Sequence, residues 1–154
     1  MKLAKALKEK KRLAAEVAHL KNKINSYNSY IKDSNVPQKF NVIEMYSTLQ
    51  SKVQNLVNLK IVINEANKEI QPLIFLLSEY KAMIAFLNIL NTREGIEPAS
   101  FSKGEVFHEV QIDALEKENL IKEFQDKADN IQDKIDTYNY TTEVSWNEII
   151  DDNQ

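Results

Sequence analysis

Leu73-Ile74-Phe75-Leu76-Leu77-Ser78-Glu79-Tyr80-Lys81-Ala82-Met83-Ile84-Ala85-Phe86-Leu87-Asn88-Ile89-Leu90 is the stretch whose reading decides the fold. Wound as a helix, it places apolar side chains on nearly every face. A helix of that kind has to be buried on all sides. A membrane span needs about 20 predominantly apolar residues. This segment is shorter and is interrupted by Ser78, Glu79, Lys81 and Asn88, so no stable span is expected. A single domain of this length can hardly surround such a helix by itself. The expectation is therefore a homo-oligomer whose shared core contains Leu73, Leu76, Leu77, Tyr80, Met83, Phe86, Leu87 and Leu90.

Outward from this segment the chain reads as further long helices. It has 154 residues with two glycines, three prolines and no cysteine. Punctuation by Gly and Pro is thus scarce, and apolar residues recur three or four apart. The fold class is all-α: long antiparallel helices in one helical domain, completed by self-association in a bundle or coiled-coil manner. The pattern predicts helices over about 2–32, 41–70, 72–92 and 113–140, a loop over 93–112 and a tail over 143–154.

The first helix carries a stripe of Leu3, Leu7, Ala14, Val17, Leu20, Ile24, Tyr27 and Ile31, with Lys10 at a skipped position. Asp33 to Pro37 ends it. The second starts at Asn41, a cap to which Glu44 can reach back. Its stripe is Met45, Leu49, Val53, Leu56, Leu59 or Lys60, Ile63 and Ile70. Pro72 either opens a third helix or kinks a continuous one. Phe101–Val110 reads as extended, with a turn at Gly104. The last helix begins near Asp113, with a stripe of Leu115, Ile121, Phe124, Ala128, Ile131, Ile135 and Tyr138. In the tail, Val144, Trp146, Ile149 and Ile150 are able to dock, and 151–154 reads as frayed.

Charge is distributed unevenly along the chain. Residues 1–32 hold nine basic residues against two acids, and residues 105–154 hold four lysines against fourteen acids. Compensation between the first helix and the end of the chain accounts for this more simply than a nucleic-acid face does. The lysines lack interleaved aromatics and a recognised motif, and nucleic acid is not an expected partner. The absence of cysteine excludes disulfides, thiolate chemistry and Cys-type zinc sites. The basic opening is followed by more charge and not by an apolar run, so a cytoplasmic location is expected.

Few residues suggest chemistry. Two histidines and no glycine elbow leave no serine-type triad, and no phosphate-cradling or dinucleotide loop is present. No cofactor is expected. Glu16 and His19 stand at Glu-x-x-His spacing, which di-iron carboxylate bundles use twice with two further glutamates. The other histidine, His108, also has a glutamate three residues before it, Glu105, but it lies in the stretch expected to be extended, where that spacing does not share a face, so Glu16 and His19 are a weak metal candidate. Asn64 and Asn67 at the end of one stripe, and Asn139, Thr141 and Thr142 at the end of another, are the remaining polar set. They read as register or capping devices. The other reading is a small polar pocket for an unidentified ligand.

Met1-Lys2-Leu3-Ala4-Lys5-Ala6-Leu7, Ile63-Asn64-Glu65-Ala66-Asn67, Phe101-Ser102-Lys103 and Asn139-Tyr140-Thr141-Thr142-Glu143-Val144 together resemble a bacterial family of small helical proteins that carry the label septicolysin. The order and spacing cover most of the chain. It departs from the family pattern at Tyr140, where Trp is usual, and at Tyr80-Lys81, where Arg-Asp is common. The Gln71-Pro72 junction replaces an Asp-Gly turn, and the chain continues past the usual end at Val144. The resemblance implies an all-helical homo-oligomer without implying an activity. The expected function is thus a self-assembling helical protein with a structural or binding role and no catalysis. The alternatives are a membrane-acting, septicolysin-like protein and a di-iron bundle enzyme.

Overall fold

The computed structural model describes residues 1–32, 38–98 and 104–149. Among them the chain forms four helices, α1 (Leu3–Tyr27), α2 (Val42–Asn67), α3 (Gln71–Ile89) and α4 (Ala114–Thr141). One two-stranded sheet, β1 (Gly95–Pro98) and β2 (Glu105–His108), interrupts them. The protein is all-α, with 71% of its residues helical. The chain divides into two compact units, one of residues 1–69 with 137–154 and one of residues 70–136.

The first unit is built on the α1–α2 hairpin. Leu3, Ala6, Leu13 and Val17 of α1 are buried with Leu49, Leu56, Leu59 and Ile63 of α2 in one cluster that also takes in Val144. The helices run antiparallel: Tyr27, at the end of α1, packs at a tilt against Phe40 just before α2, with ring centres 4.5 Å apart. Glu16 meets Lys52 midway at 3.0 Å.

The seam follows a strict three-four spacing. In α1 it is Leu3, Ala6, Lys10, Leu13, Val17, Leu20 and Ile24; in α2 it is Met45, Leu49, Lys52, Leu56, Leu59, Ile63 and Ala66. It shares Leu3, Val17, Leu20 and Ile24 of α1 and Met45, Leu49, Leu56, Leu59 and Ile63 of α2 with the sequence stripes, and departs where those placed Ala14 and Val53 inside. Ala14 is exposed and Leu13 is fully buried, while Val53 is exposed beside a half-buried Lys52. The physical reason is that a lysine can lay its methylene stem in a seam and keep its ammonium at the rim.

Helix ends follow their local chemistry. Asn41 Oδ1 accepts from the amides of Ile43 (3.1 Å) and Glu44 (3.3 Å), capping α2. Among the described residues the Glu44 side chain returns no bond to Asn41, so the cap is one-sided rather than a box. The helix expected over 2–32 stops at Tyr27, and Tyr30 and Ile31 lie exposed, because α2 offers nothing to pack against beyond that point. The turn expected at Asp33–Pro37 lies outside the described residues. Pro72 breaks the chain into two helices: α2 ends at Asn67 and Pro72 sits in the first turn of α3, where its missing N–H costs nothing.

In the second unit α3 runs antiparallel to the first part of α4. Tyr80 packs edge-on against Phe124 with centroids 5.7 Å apart, and Lys117 Nζ donates to the carbonyls of Asn88 (3.0 Å) and Leu90 (3.2 Å). Leu77, Leu87, Ala128 and Ile131 are buried, whereas Leu115, expected in the α4 stripe, is exposed. Asp113 Oδ1 caps α4 through the Glu116 amide at 2.8 Å.

Within the segment read as a loop over 93–112, the stretch expected to be extended supplies β2, and it pairs with β1 in an antiparallel hairpin that was not expected, Gly95 opposite His108 and Pro98 opposite Glu105. Gly95 has φ of 100°, a conformation other residues resist, where the strand begins. Phe101–Lys103 lie outside the described residues.

The seam register has a direct test. Leu13→Ala should cost about 2–5 kcal/mol of unfolding free energy, as expected for a large-to-small change at a buried site. Ala14→Ser should change it by less than about 0.5 kcal/mol, as a surface substitution does. Chemical denaturation of both variants measures the difference, and equal losses would contradict the register.

Candidate functional site

The polar chemistry of the first unit gathers where the segment after α4 returns across the α1–α2 hairpin. It leaves α4 at Thr141 and first caps α1. Leu3 N–H donates to the Thr142 carbonyl at 2.9 Å, meeting one of the amide donors a helix start leaves without partners. Val144 N–H donates to the Met1 carbonyl at 2.8 Å, and the Met1 nitrogen donates back to the Val144 carbonyl at 2.7 Å. Lys2 Nζ reaches the Thr141 carbonyl and the Glu143 carboxylate, both at 3.0 Å. The segment is therefore fixed in register at its near end by main-chain pairing, as an added strand would be.

Side chains then alternate as in an extended chain. Val144 is buried in the hairpin core and Trp146 packs against it. The Trp146 indole N–H is buried without an acceptor among the described residues. Glu148 meets two cations: its carboxylate lies 3.0 Å from Lys52 Nζ and 3.2 Å from Arg12.

One residue further on, Asn55 reads the backbone. Its Nδ2 donates to the Ile149 carbonyl at 2.8 Å and its Oδ1 accepts from the Ile149 N–H at 2.9 Å. Asn55 is 1% exposed, and both ends of its carboxamide are satisfied by this one residue of extended chain. A buried amide without such partners would be costly. The Ile149 side chain itself stays exposed, so the contact recognises main chain, not side chain.

The charges between Asn55 and Val144 form a network. Arg12 bonds Glu9 at 2.7 Å and also pairs with Glu16. Lys52 lies between Glu16 and Glu148, at 3.0 Å from each. Burial tends to raise the Glu16 carboxyl, but the hydrogen bond and charge of Lys52, joined by those of Arg12, outweigh it and hold the group below its ordinary value. Burial tends to lower Lys52, and its bonds to Glu16 and Glu148 outweigh that, so the ammonium stays charged above its usual range. The hydrogen bond that Arg12 donates to Glu9 leads the causes that raise Arg12. All three groups are ionised at neutral pH.

The residues singled out from the sequence take other places. Glu16 is committed to Lys52 and Arg12, and His19 is exposed on α1. Among the described residues no group of three or more His, Asp or Glu side chains is placed to hold a metal. Asn64 is exposed and Asn67 half-buried at the end of α2; Asn139 is half-buried and Thr141 exposed at the end of α4. No side-chain hydrogen bond joins the two sets among the described residues. Thr141 Oγ1 instead turns back to the Thr137 carbonyl at 2.8 Å, and Thr142 acts through its backbone. Tyr138 makes the link between the helix ends, its hydroxyl donating to the Ala66 carbonyl at 2.8 Å. Of the tail residues expected to dock, Val144 and Trp146 do so by side chain and Ile149 by backbone; Ile150 lies outside the described residues.

Asn55, Lys52, Arg12 and Glu148 were not singled out by the sequence reading. The available signal was a lysine at a seam position three residues before a helical asparagine, with a glutamate in the tail among apolar residues. No family model, curated protein or solved structure matches the chain.

Two outcomes follow. Asn55→Ala strands the Ile149 amide and carbonyl and should destabilise the protein by about 1–3 kcal/mol, the cost of leaving hydrogen-bonding groups unmet. Backbone NMR should show the change concentrated at 146–149, and an unchanged spectrum there would contradict the clamp.

The second concerns acid. A carboxylate whose folded value is lowered contributes stability that is complete above its ordinary 4.5 and is lost as pH falls through the lowered value. Wild-type stability should therefore fall more steeply below about pH 4.5 than that of Glu16→Gln, the unfolded carboxylate reference lying near 4.3. Urea midpoints measured from pH 6 to pH 2.5 supply the comparison.

Proposed function

We propose that the chain is a self-assembling helical protein with a structural or binding role, in which the open face of α3 is closed by another copy. The observation that carries this is the exposure of that helix. Phe75, Leu76, Met83, Phe86 and Ile89 are all exposed, and Ile89 retains 83% of its accessible surface. Together they leave roughly 500 Å² of apolar area in water, at the upper end of the largest patches on soluble monomers. Covering it is worth on the order of 10 kcal/mol per protomer at about 25 cal/mol per Å². That is ample to offset part of the entropy of association.

The resemblance to the septicolysin-labelled proteins supports the same reading, since it implies a helical homo-oligomer. The three-four seam of α1 and α2 supports a coiled-coil style of packing in such an assembly. Val53, Val57 and Ile61 form a second exposed apolar row on α2 that another helix would cover.

A second reading has one observation in its favour. α3, at 19 residues, is long and apolar enough by length and composition to cross a membrane, and little of it is buried. At about 1.5 Å per residue it would extend roughly 28 Å. Glu79 and Lys81 near its middle oppose that placement, because a charge at the centre of a bilayer is expensive.

Light scattering on the purified chain separates the two. Wild type should give a mass of two or more protomers. Leu76→Asp and Phe86→Asp should each give a monomer of 17.8 kDa with helical circular dichroism retained. A wild-type monomer would overturn the self-assembly reading. Flotation of the wild type with anionic vesicles, abolished by the same substitutions, would replace it with the membrane reading.

A further inference from the structure

α3 carries two seams on opposite sides. Leu73, Leu77, Tyr80, Ile84 and Leu87 are buried or half-buried at three-four spacing, and Tyr80 among them meets Phe124 of α4. Phe75, Ser78, Ala82, Ala85 and Ile89 repeat the spacing, and all five are exposed. At about 100° per residue this outer seam lies roughly 180° around the helix from the inner one. Resting on the self-assembly reading above, we infer that the outer seam pairs with its own copy in a parallel, two-fold arrangement, with Glu79 of each copy beside Lys81 of the other.

An apolar face alone does not choose its cover, but the charges beside it do. Glu79 and Lys81 are the only charged residues of α3. Both are exposed, and neither side chain has an ion-pair or hydrogen-bond partner among the described residues. Two residues apart on one helix, they do not face each other. Each stands about 80° from the centre of the outer seam, Glu79 at one edge and Lys81 at the other. From such flanking positions charges set the orientation of paired helices.

Symmetry then decides the direction. In an antiparallel two-fold pair each edge meets its own copy, so Glu79 faces Glu79 and Lys81 faces Lys81. Sliding the helices apart relieves that repulsion but pairs no charge. In a parallel two-fold pair each edge meets the opposite one. Glu79 then lies beside Lys81 of the second copy on both flanks, offset by about 3 Å along the axis. The area agrees as well. About 500 Å² of apolar surface per copy is what an interface of roughly 800 Å² per partner contains at about 60% apolar. A bilayer core would satisfy neither charge.

Cysteine cross-linking reads the direction, because the chain has no cysteine of its own. Under mild oxidation Ser78→Cys and Ala85→Cys should each form a disulfide-linked dimer alone, since parallel pairing sets each position opposite itself. In a mixture of the two, the 78-to-85 product should be less than about one-tenth as abundant, because those positions lie roughly 10 Å apart along the axis. A cross-link found chiefly in the mixture, or none at all in a dimeric chain, overturns the inference.

Charge exchange checks it independently. Glu79→Lys and Lys81→Glu should each raise the dimer dissociation constant at least about ten-fold, and the two together should return it to within about three-fold of wild type. Single exchanges as tight as wild type, or a double exchange without recovery, also overturn it. A monomeric wild type removes the self-assembly reading and this pairing with it, whereas a dimer that fails either test removes the pairing alone.

Discussion

A cation at a seam position between two helices is the constraint on which the first unit depends. Lys52 stands where an apolar residue would close the α1–α2 interface, and its ammonium must find carboxylates. Glu16, across the seam on α1, supplies one. The second comes from Glu148, more than ninety residues away in sequence, so satisfying Lys52 draws the end of the chain onto the hairpin. Once the segment is there, its other contacts have a fixed register. Val144 falls into the core, the Thr142 carbonyl meets the first amide of α1, and Ile149 comes opposite Asn55. Partly exposed ion pairs contribute little stability each. Their consequence here is alignment, and the burial of Val144 and Trp146 supplies the larger share of the favourable free energy.

The second unit shows what happens where the described residues hold no comparable polar constraint. α3 has apolar residues all round but only two that are buried, Leu77 and Leu87. Its contacts with α4 include a tyrosine–phenylalanine pair and a lysine that caps the carbonyls at its end. These fix where α3 begins and ends against α4 without covering its remaining faces. Apolar attraction is non-directional, so such a surface by itself specifies that it be covered and does not specify by what.

Much of the fold was legible because helical periodicity and punctuation are strong signals. Asn41, Pro72 and Asp113 marked helix starts that the structure places at or beside those residues. Most of the α1–α2 seam was legible, and two positions were misread, Ala14 for Leu13 and Val53 for Lys52, because adjacent positions on a helix both lie near the seam and Val53 avoided a charge there. A lysine with an apolar stem and a carboxylate at its tip belongs to either class, and only the tertiary partner decides. The end of α1 was missed for a related reason. Ile31 continues the period, but a helix in water needs something to pack on, and α2 does not extend that far. The extended stretch that holds β2 was legible, whereas its partner β1, four residues long, was masked by its brevity.

The site was less legible than the fold because its parts are ordinary residues until the chain closes. Asn64 and Asn67 drew notice by lying near a stripe, yet both end up on or near the surface, whereas Asn55 is the one that is buried. An asparagine beside a seam carries no mark of its eventual partner when that partner is a backbone amide and carbonyl 94 residues later. Side-chain-to-backbone recognition leaves no sequence pattern at the recognised position: any residue at 149 able to adopt extended geometry would present the same two groups. What sequence can show is the context around it, a spaced valine, tryptophan and glutamate near the end of the chain and a lysine out of place in a seam. Those features make sense only together, since each charge or aromatic group would be a liability without the others. The polar part of the first unit is thus one set of residues meeting one requirement, that Lys52 and Asn55 not be left unpaired.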